Sequence, residues 1–125
     1  MTIYETLKSK ETLIIDDDQW IRDALRIVFE NEHCPIVAVE TAEEGMVLLS
    51  ERVFDVIICD YKLPGQDGMQ FFEKVQEETA RSCKVLMTAY GSQGLWKRAR
   101  EIGVDAMIYK PFTTQAIEDC LCRLL

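Results

Sequence analysis

The sequence predicts an α/β domain built on a doubly wound, five-stranded parallel sheet. Five short apolar runs, at 13–15, 36–39, 53–59, 85–87 and 107–109, lack polar alternation, as strands covered on both faces do. A longer stretch with helical apolar spacing follows each run. Five strand–helix pairs in one chain call for right-handed crossovers that lay helices on both faces of an open sheet.

Residues 1–10 precede the first run and are expected to be an N-terminal extension, a short helical turn or a frayed and dispensable end, with the domain proper at 11–125. The first strand ends at Asp16-Asp17. Asp18 is placed to cap a helix at about 19–31, whose apolar stripe is Ile21, Ala24, Leu25 and Val28. After the second strand, Thr41-Ala42-Glu43-Glu44 fits a capping box, and Met46, Val47 and Leu49 continue the helix. The third strand delivers Asp60 to a turn at Leu63-Pro64-Gly65, and a helix at about 69–79 follows Asp67-Gly68. The fourth helix, about 93–102, carries Leu95, Ala99 and Ile102. The last begins after Pro111 and runs to about Leu125, with Ile117, Leu121 and Leu124 inward.

Composition narrows the function. The chain has 125 residues, 22 acidic against 14 basic, and a net charge of -8. An acidic chain without a basic stripe is not expected to bind nucleic acid directly. No apolar run approaches the roughly 18 residues of a membrane span. Five cysteines, Cys34, Cys59, Cys83, Cys120 and Cys122, lack metal-ligand spacing, and no secretory signal precedes them, so reduced thiols in a cytoplasm are expected. Cys120 and Cys122 should face different ways on a helix, and Cys59 should be strand core. His33, the one histidine, is expected to be an ordinary surface residue near a helix end.

In open α/β sheets the ligand site lies outside the carboxyl ends of the strands. Asp16 and Asp17 close the first strand, Asp60 the third, Thr88 the fourth and Lys110 the fifth. Clustered carboxylates repel by several kcal/mol per pair, so they take up protons, spread into water or bind a cation. A few hard oxygen ligands with room for water and a phosphate suit Mg²⁺. With an ammonium and a hydroxyl nearby, this is equipment for phosphoryl transfer onto a carboxylate.

Four motifs in order carry a resemblance: Leu13-Ile14-Ile15-Asp16-Asp17; Val56-Ile57-Ile58-Cys59-Asp60 with Leu63-Pro64-Gly65 and Asp67-Gly68; Leu86-Met87-Thr88-Ala89; and Lys110-Pro111-Phe112. Asp17 to Asp60 is 43 residues, Asp60 to Thr88 is 28, and Thr88 to Lys110 is 22. The chain resembles the receiver domain of two-component response regulators, of the chemotaxis-regulator type, from about Thr12 to Leu125. The resemblance implies a flavodoxin-like (βα)5 fold with strand order 2-1-3-4-5. It implies Asp60 as phosphoacceptor, served by a sensor histidine kinase, a histidine phosphotransfer protein or a small acyl phosphate. Asp17, Asp60 and the Lys62 backbone carbonyl would ligate Mg²⁺ directly, with Asp16 acting largely through water. Lys110 would pair with Asp60 at rest and with the phosphoryl group afterwards. Thr88 would swing to the phosphoryl group, moving the loop from Ala89, and Lys110-Pro111 would be cis. Such a protein modifies itself but turns over no metabolite, so it is not expected to be an enzyme.

One position departs from the pattern: Met107 stands where the family usually carries an aromatic switch residue, three before the lysine. Lys62 and Tyr90 lie where side chains could screen attacking water. Trp96 is expected at a helix edge, either packed on the core or exposed; if exposed, it marks with Tyr109 a partner surface, with a homodimer through the fourth helix, fifth strand and fifth helix as one use of it. Lys97, Arg98 and Arg100 are read as a solvated face. The output domain or protein is not legible. Two alternatives stand beside this reading: an unphosphorylated pseudo-receiver that docks partners, and a haloacid-dehalogenase-type phosphatase with Asp16 as nucleophile. The second lacks a late acidic pair and a cap. A flavodoxin-type flavin site is disfavoured, because three acids would repel its phosphate.

Overall fold

A computed structural model describes residues 2–89, 91 and 93–125. Its elements alternate as expected after one added helix: α1 (Ile3–Leu7), β1 (Thr12–Ile15), α2 (Gln19–Asn31), β2 (Ile36–Val39), α3 (Ala42–Glu51), β3 (Val56–Asp60), α4 (Gly68–Lys74), β4 (Cys83–Thr88), α5 (Gln93–Glu101), β5 (Ala106–Tyr109) and α6 (Thr114–Leu124). The five strands are parallel in the order β2-β1-β3-β4-β5, the order expected.

Every residue of β1 and β3 is buried, which is why their sequences read as unbroken apolar runs. Alternate side chains feed two cores. Leu13, Ile15, Ile57, Cys59 and Leu86 point to one, with Phe71, Phe72 and Ala99 from α4 and α5. Ile14, Val56, Ile58, Val85 and Met87 point to the other, with Leu25 and Phe29 of α2 and Ile117 and Leu121 of α6. Cys120 is buried and Cys122 exposed, as the helical spacing requires, and all five cysteines are free.

The second core also takes in α1. Five residues are too few to hold a helix by propensity. Ile3, Tyr4 and Leu7 are buried there, Leu7 completely, and Tyr4 meets Phe29 edge-on at 6.3 Å between ring centroids. The N-terminal segment is thus a docked helical turn and not a frayed end.

Local chemistry sets the ends. Asp18 caps α2 by accepting from Trp20 N at 2.9 Å. His33 (φ 58°) closes the same helix in a Schellman turn, with Cys34 N donating to Phe29 O at 2.8 Å and His33 N to Glu30 O at 3.0 Å. Thr41 accepts from Glu44 N, but Glu44 takes the Thr41 hydroxyl instead of its backbone N–H, so the expected capping box is half formed. A complete box is at α4, between Asp67 and Gln70.

Two boundaries differ from expectation by three residues or more. The third strand begins at Val56 and not at 53, because Val53 is exposed and Asp55 turns its carboxylate to the Glu11 N–H at 2.8 Å. Helix α4 stops at Lys74 and not at 79. The Lys84 ammonium, itself buried, donates to the Thr79 carbonyl at 2.6 Å and the Ser82 carbonyl at 3.2 Å, bracing the turns that follow the helix.

Candidate functional site

The pairing of β1 with β3 sets Ile15 beside Cys59, so Asp16 and Asp60 emerge side by side at the carboxyl rim. The pairing of β4 with β5 sets Thr88 beside Tyr109, and the Lys110 N–H continues the ladder to Thr88 O at 2.8 Å. Four strand ends thereby bring the expected residues together.

Carboxylate oxygens of Asp16, Asp17 and Asp60 lie within 4.8 Å of one another. Asp16 is fully buried and Asp60 nearly so, whereas Asp17 is exposed. At that separation and an effective dielectric near 20, each pair repels by about 3 kcal/mol. Lys110 offsets part of this: its Nζ lies 2.8 Å from Asp16 Oδ2 and 3.1 Å from Asp60 Oδ2. The offset is incomplete at Asp60. Burial, with the Asp16 charge next, pushes its carboxyl from 3.8 up to about 6 against the pull of Lys110. Lys110 itself is raised, because its bonds and charge contacts with Asp16 and Asp60 outweigh the burial that opposes them.

Asp16 has both oxygens engaged, Oδ2 by Lys110 and Oδ1 by the Asp18 N–H at 2.9 Å. Asp60 instead lines an open cleft of about 520 Å³ with Asp17, Lys62, Thr88, Ala89 and Lys110. The wall of that cleft therefore presents Asp60, and not Asp16, to an incoming group. This arrangement disfavours a phosphatase with Asp16 as nucleophile.

Gly68 makes the rim possible. Its N–H donates to Tyr61 O at 2.7 Å, and a β-carbon there would collide with the Asp60 carbonyl oxygen and sit 2.9 Å from Leu86 Cδ1. Only glycine lets α4 start so close to the end of β3.

The remaining expected positions are placed as follows. The Lys110-Pro111 bond is cis. Met107 is partly buried and packs on the core beneath α5. Tyr109 is 52% exposed. Trp96 is half-buried: it packs partly on the core, and Arg100 lies 5.8 Å from its ring centroid. Lys97, Arg98 and Arg100 are exposed, with Arg98 3.6 Å from Glu73. Tyr90 lies outside the described residues.

Sequence reasoning missed two residues beside the cleft. Arg22 reaches from α2 to donate to Asp16 O at 2.8 Å, fixing the end of β1. Trp20 is 86% exposed and borders an apolar groove with Ile21, Ala24, Pro111 and Phe112. A tryptophan outside the apolar stripe of α2 was the available signal.

Comparison with known proteins agrees with this geometry. Residues 12–121 match the response regulator receiver domain family. The chain is 30% identical to the response regulator protein FleR of Pseudomonas aeruginosa over 113 residues, covering 90% of this chain but only 24% of that protein. It is 26% identical to the chemotaxis protein CheY of Halobacterium salinarum, covering 94% of this chain and 98% of the relative. A CheY-like response regulator receiver domain protein from Methanospirillum hungatei superposes with a TM-score of 0.82 at 29% identity, over 91% of this chain and 94% of that one. Chemotaxis response regulator CheY4 of Vibrio cholerae shares the fold with a TM-score of 0.86. With the family match spanning nearly the whole chain and its four strand ends converging on one acidic cleft, the chain belongs to the response regulator receiver domains.

Proposed function

We propose that this domain is a Mg²⁺-dependent phosphoacceptor switch. Asp60 takes a phosphoryl group from a sensor histidine kinase or histidine phosphotransfer protein, and the modified domain binds its output partner differently. One observation carries the reading. Asp60 stands in an open cleft with a lysine ammonium at 3.1 Å, a buried threonine at the neighbouring strand end and two further carboxylates within 4.8 Å.

The chemistry follows from those residues. Asp60 is ionised at neutral pH, since its pKa is about 6. Its oxygen forms an O–P bond as the donor's N–P or acyl O–P bond breaks, and the donor leaves with the bonding pair. Lys110 keeps its contact with Asp16 and moves its second contact from Asp60 to the phosphoryl oxygens. Thr88 and the Ala89 N–H supply further donors. The donor set fits Mg²⁺: hard carboxylate oxygens, too few to fill six positions, beside an open cleft. Asp17, Asp60 and the Lys62 carbonyl would hold it directly, and Asp16, with both oxygens engaged, through water. When bound, the ion neutralises charge on the transferring group.

The domain thereby modifies itself and turns over no metabolite. Its setting is a cytoplasm, and α5, β5 and α6 form the face for an output partner or a second copy. No helix of the described residues is long and apolar enough to cross a membrane.

The test is acetyl phosphate with Mg²⁺, read by phosphate-affinity electrophoresis. The wild type becomes modified and Asp60→Asn does not; unchanged labelling of Asp60→Asn would overturn the assignment. Lys110→Ala should still be modified yet lose most of the active-state NMR shifts. Full retention of those shifts would remove Lys110 from the switch.

A further inference from the structure

Arg22, in the first turn of α2, has no part in the chemistry above. Its side chain is only 12% exposed, and Nη1 donates to the Asp16 carbonyl at 2.8 Å. Its other contact is slight: Nη2 stands 3.9 Å from a Glu40 carboxylate that is 64% exposed, a pair worth little. The guanidinium chiefly serves one backbone oxygen.

That oxygen belongs to the peptide group joining Asp16 to Asp17. A planar peptide held at its carbonyl fixes the placement of the next Cα. On the other side of Asp17, the following peptide is held by its Asp18 N–H, which donates to Asp16 Oδ1 at 2.9 Å. Asp16 is itself anchored, its N–H donating to Val39 O at 3.1 Å and its Oδ2 accepting from Lys110 at 2.8 Å. Asp17 is exposed between these two braced peptides, and it lines the cleft.

We infer that Arg22 is a positioning residue for the metal: by holding the Asp16 carbonyl it aims the Asp17 carboxylate at the Mg²⁺ position. The inference rests on the Mg²⁺-dependent phosphoacceptor reading. Charge does not give Arg22 this role, because a cation beside an acidic cluster opposes a second cation there. By charge alone, removing Arg22 would tighten Mg²⁺ binding. Removing the brace frees the peptide, and a ligand that must be ordered on binding holds the ion more weakly. The two effects have opposite sign, so the direction of the change identifies the role.

The test titrates Mg²⁺ into wild type, Arg22→Ala, Arg22→Lys and Glu40→Gln, with the dissociation constant read from the amide shifts of Asp17, Asp18 and Asp60. Urea unfolding in EDTA reports the stability of each without metal. Arg22→Ala is expected to bind Mg²⁺ about 10-fold more weakly. Arg22→Lys keeps the charge but not the fork of a guanidinium, and is expected to lose about 3-fold or more. It carries the test alone should Arg22→Ala not fold. Glu40→Gln should bind within about 2-fold of wild type. In an Asp17→Asn background, Arg22→Ala should cost less than about 2-fold, because the ligand it aims is gone. Unchanged or tighter binding in the Arg22 variants, whatever their urea stability, would reduce Arg22 to a structural brace and overturn the inference. So would an equal loss in the Asp17→Asn background. Either result leaves Asp60 as acceptor. Failure of the wild type to bind Mg²⁺ would overturn the metal-dependent reading and the role of Arg22 with it.

Discussion

Asp60→Asn should make the metal-free domain more stable, and the gain should depend on pH. An acid whose folded pKa exceeds its unfolded value holds its proton more tightly in the folded chain. The folded state then loses stability as pH rises through the interval between the two values. For Asp60 that interval runs from 3.8 to about 6, because burial and Asp16 outweigh Lys110. Above it the full cost is about 3 kcal/mol as a ceiling. Asparagine keeps the shape, carries no charge, and leaves Lys110 its bond to Asp16 at 2.8 Å. Urea unfolding in EDTA at pH 8 should therefore show Asp60→Asn more stable by about 2–3 kcal/mol, or roughly 10 °C in Tm. At pH 4 the gain should fall below about 1 kcal/mol. Millimolar Mg²⁺ should stabilise the wild type and leave the variant nearly unmoved. A variant no more stable than wild type at pH 8, or a gain as large at pH 4, would refute the account of an under-compensated acid.

Three further outcomes are expected. Gly68→Ala should cost about 2–3 kcal/mol in urea unfolding, since its β-carbon meets the Asp60 carbonyl oxygen, and should slow labelling by acetyl phosphate as the rim shifts. Leu7→Ala, fully buried where α1 docks, should lose about 2–4 kcal/mol of stability by the same assay; a loss under about 0.5 kcal/mol would return α1 to a dispensable extension. Trp20 is 86% exposed beside the cleft; if a protein donor docks on it, Trp20→Ala should leave stability and acetyl phosphate labelling unchanged but reduce phosphotransfer from a histidine kinase about 10-fold or more.

Much of this was legible because the governing signals were local. Strands buried on both faces leave unbroken apolar runs, and a parallel sheet puts every strand's carboxyl end on one rim, so Asp16, Asp60, Thr88 and Lys110 could be grouped before any distance was known. Signals that depend on distant partners were not legible. Leu7 and Tyr4 read as extension because the surface that buries them is built by α2 and α6, over a hundred residues on in the latter case. The turns that follow α4 are held in part by Lys84 from the next strand, a charged residue that gives no sign of its role as a buried donor. The groove beside Trp20 needs Pro111 and Phe112 from the other end of the chain.

The register of β1 on β3 has a consequence for how the site can be dissected. It is fixed by Leu13, Ile14, Ile15, Ile57, Ile58 and Cys59, each fully buried, and a one-residue slip would exchange the two cores. The acids at the strand ends contribute nothing to that choice. Their mutual repulsion is a load that the sheet bears. Architecture and chemistry are therefore separable here: neutral isosteres of Asp17 or Asp60 can silence the cleft while leaving a well-folded scaffold for measuring what remains.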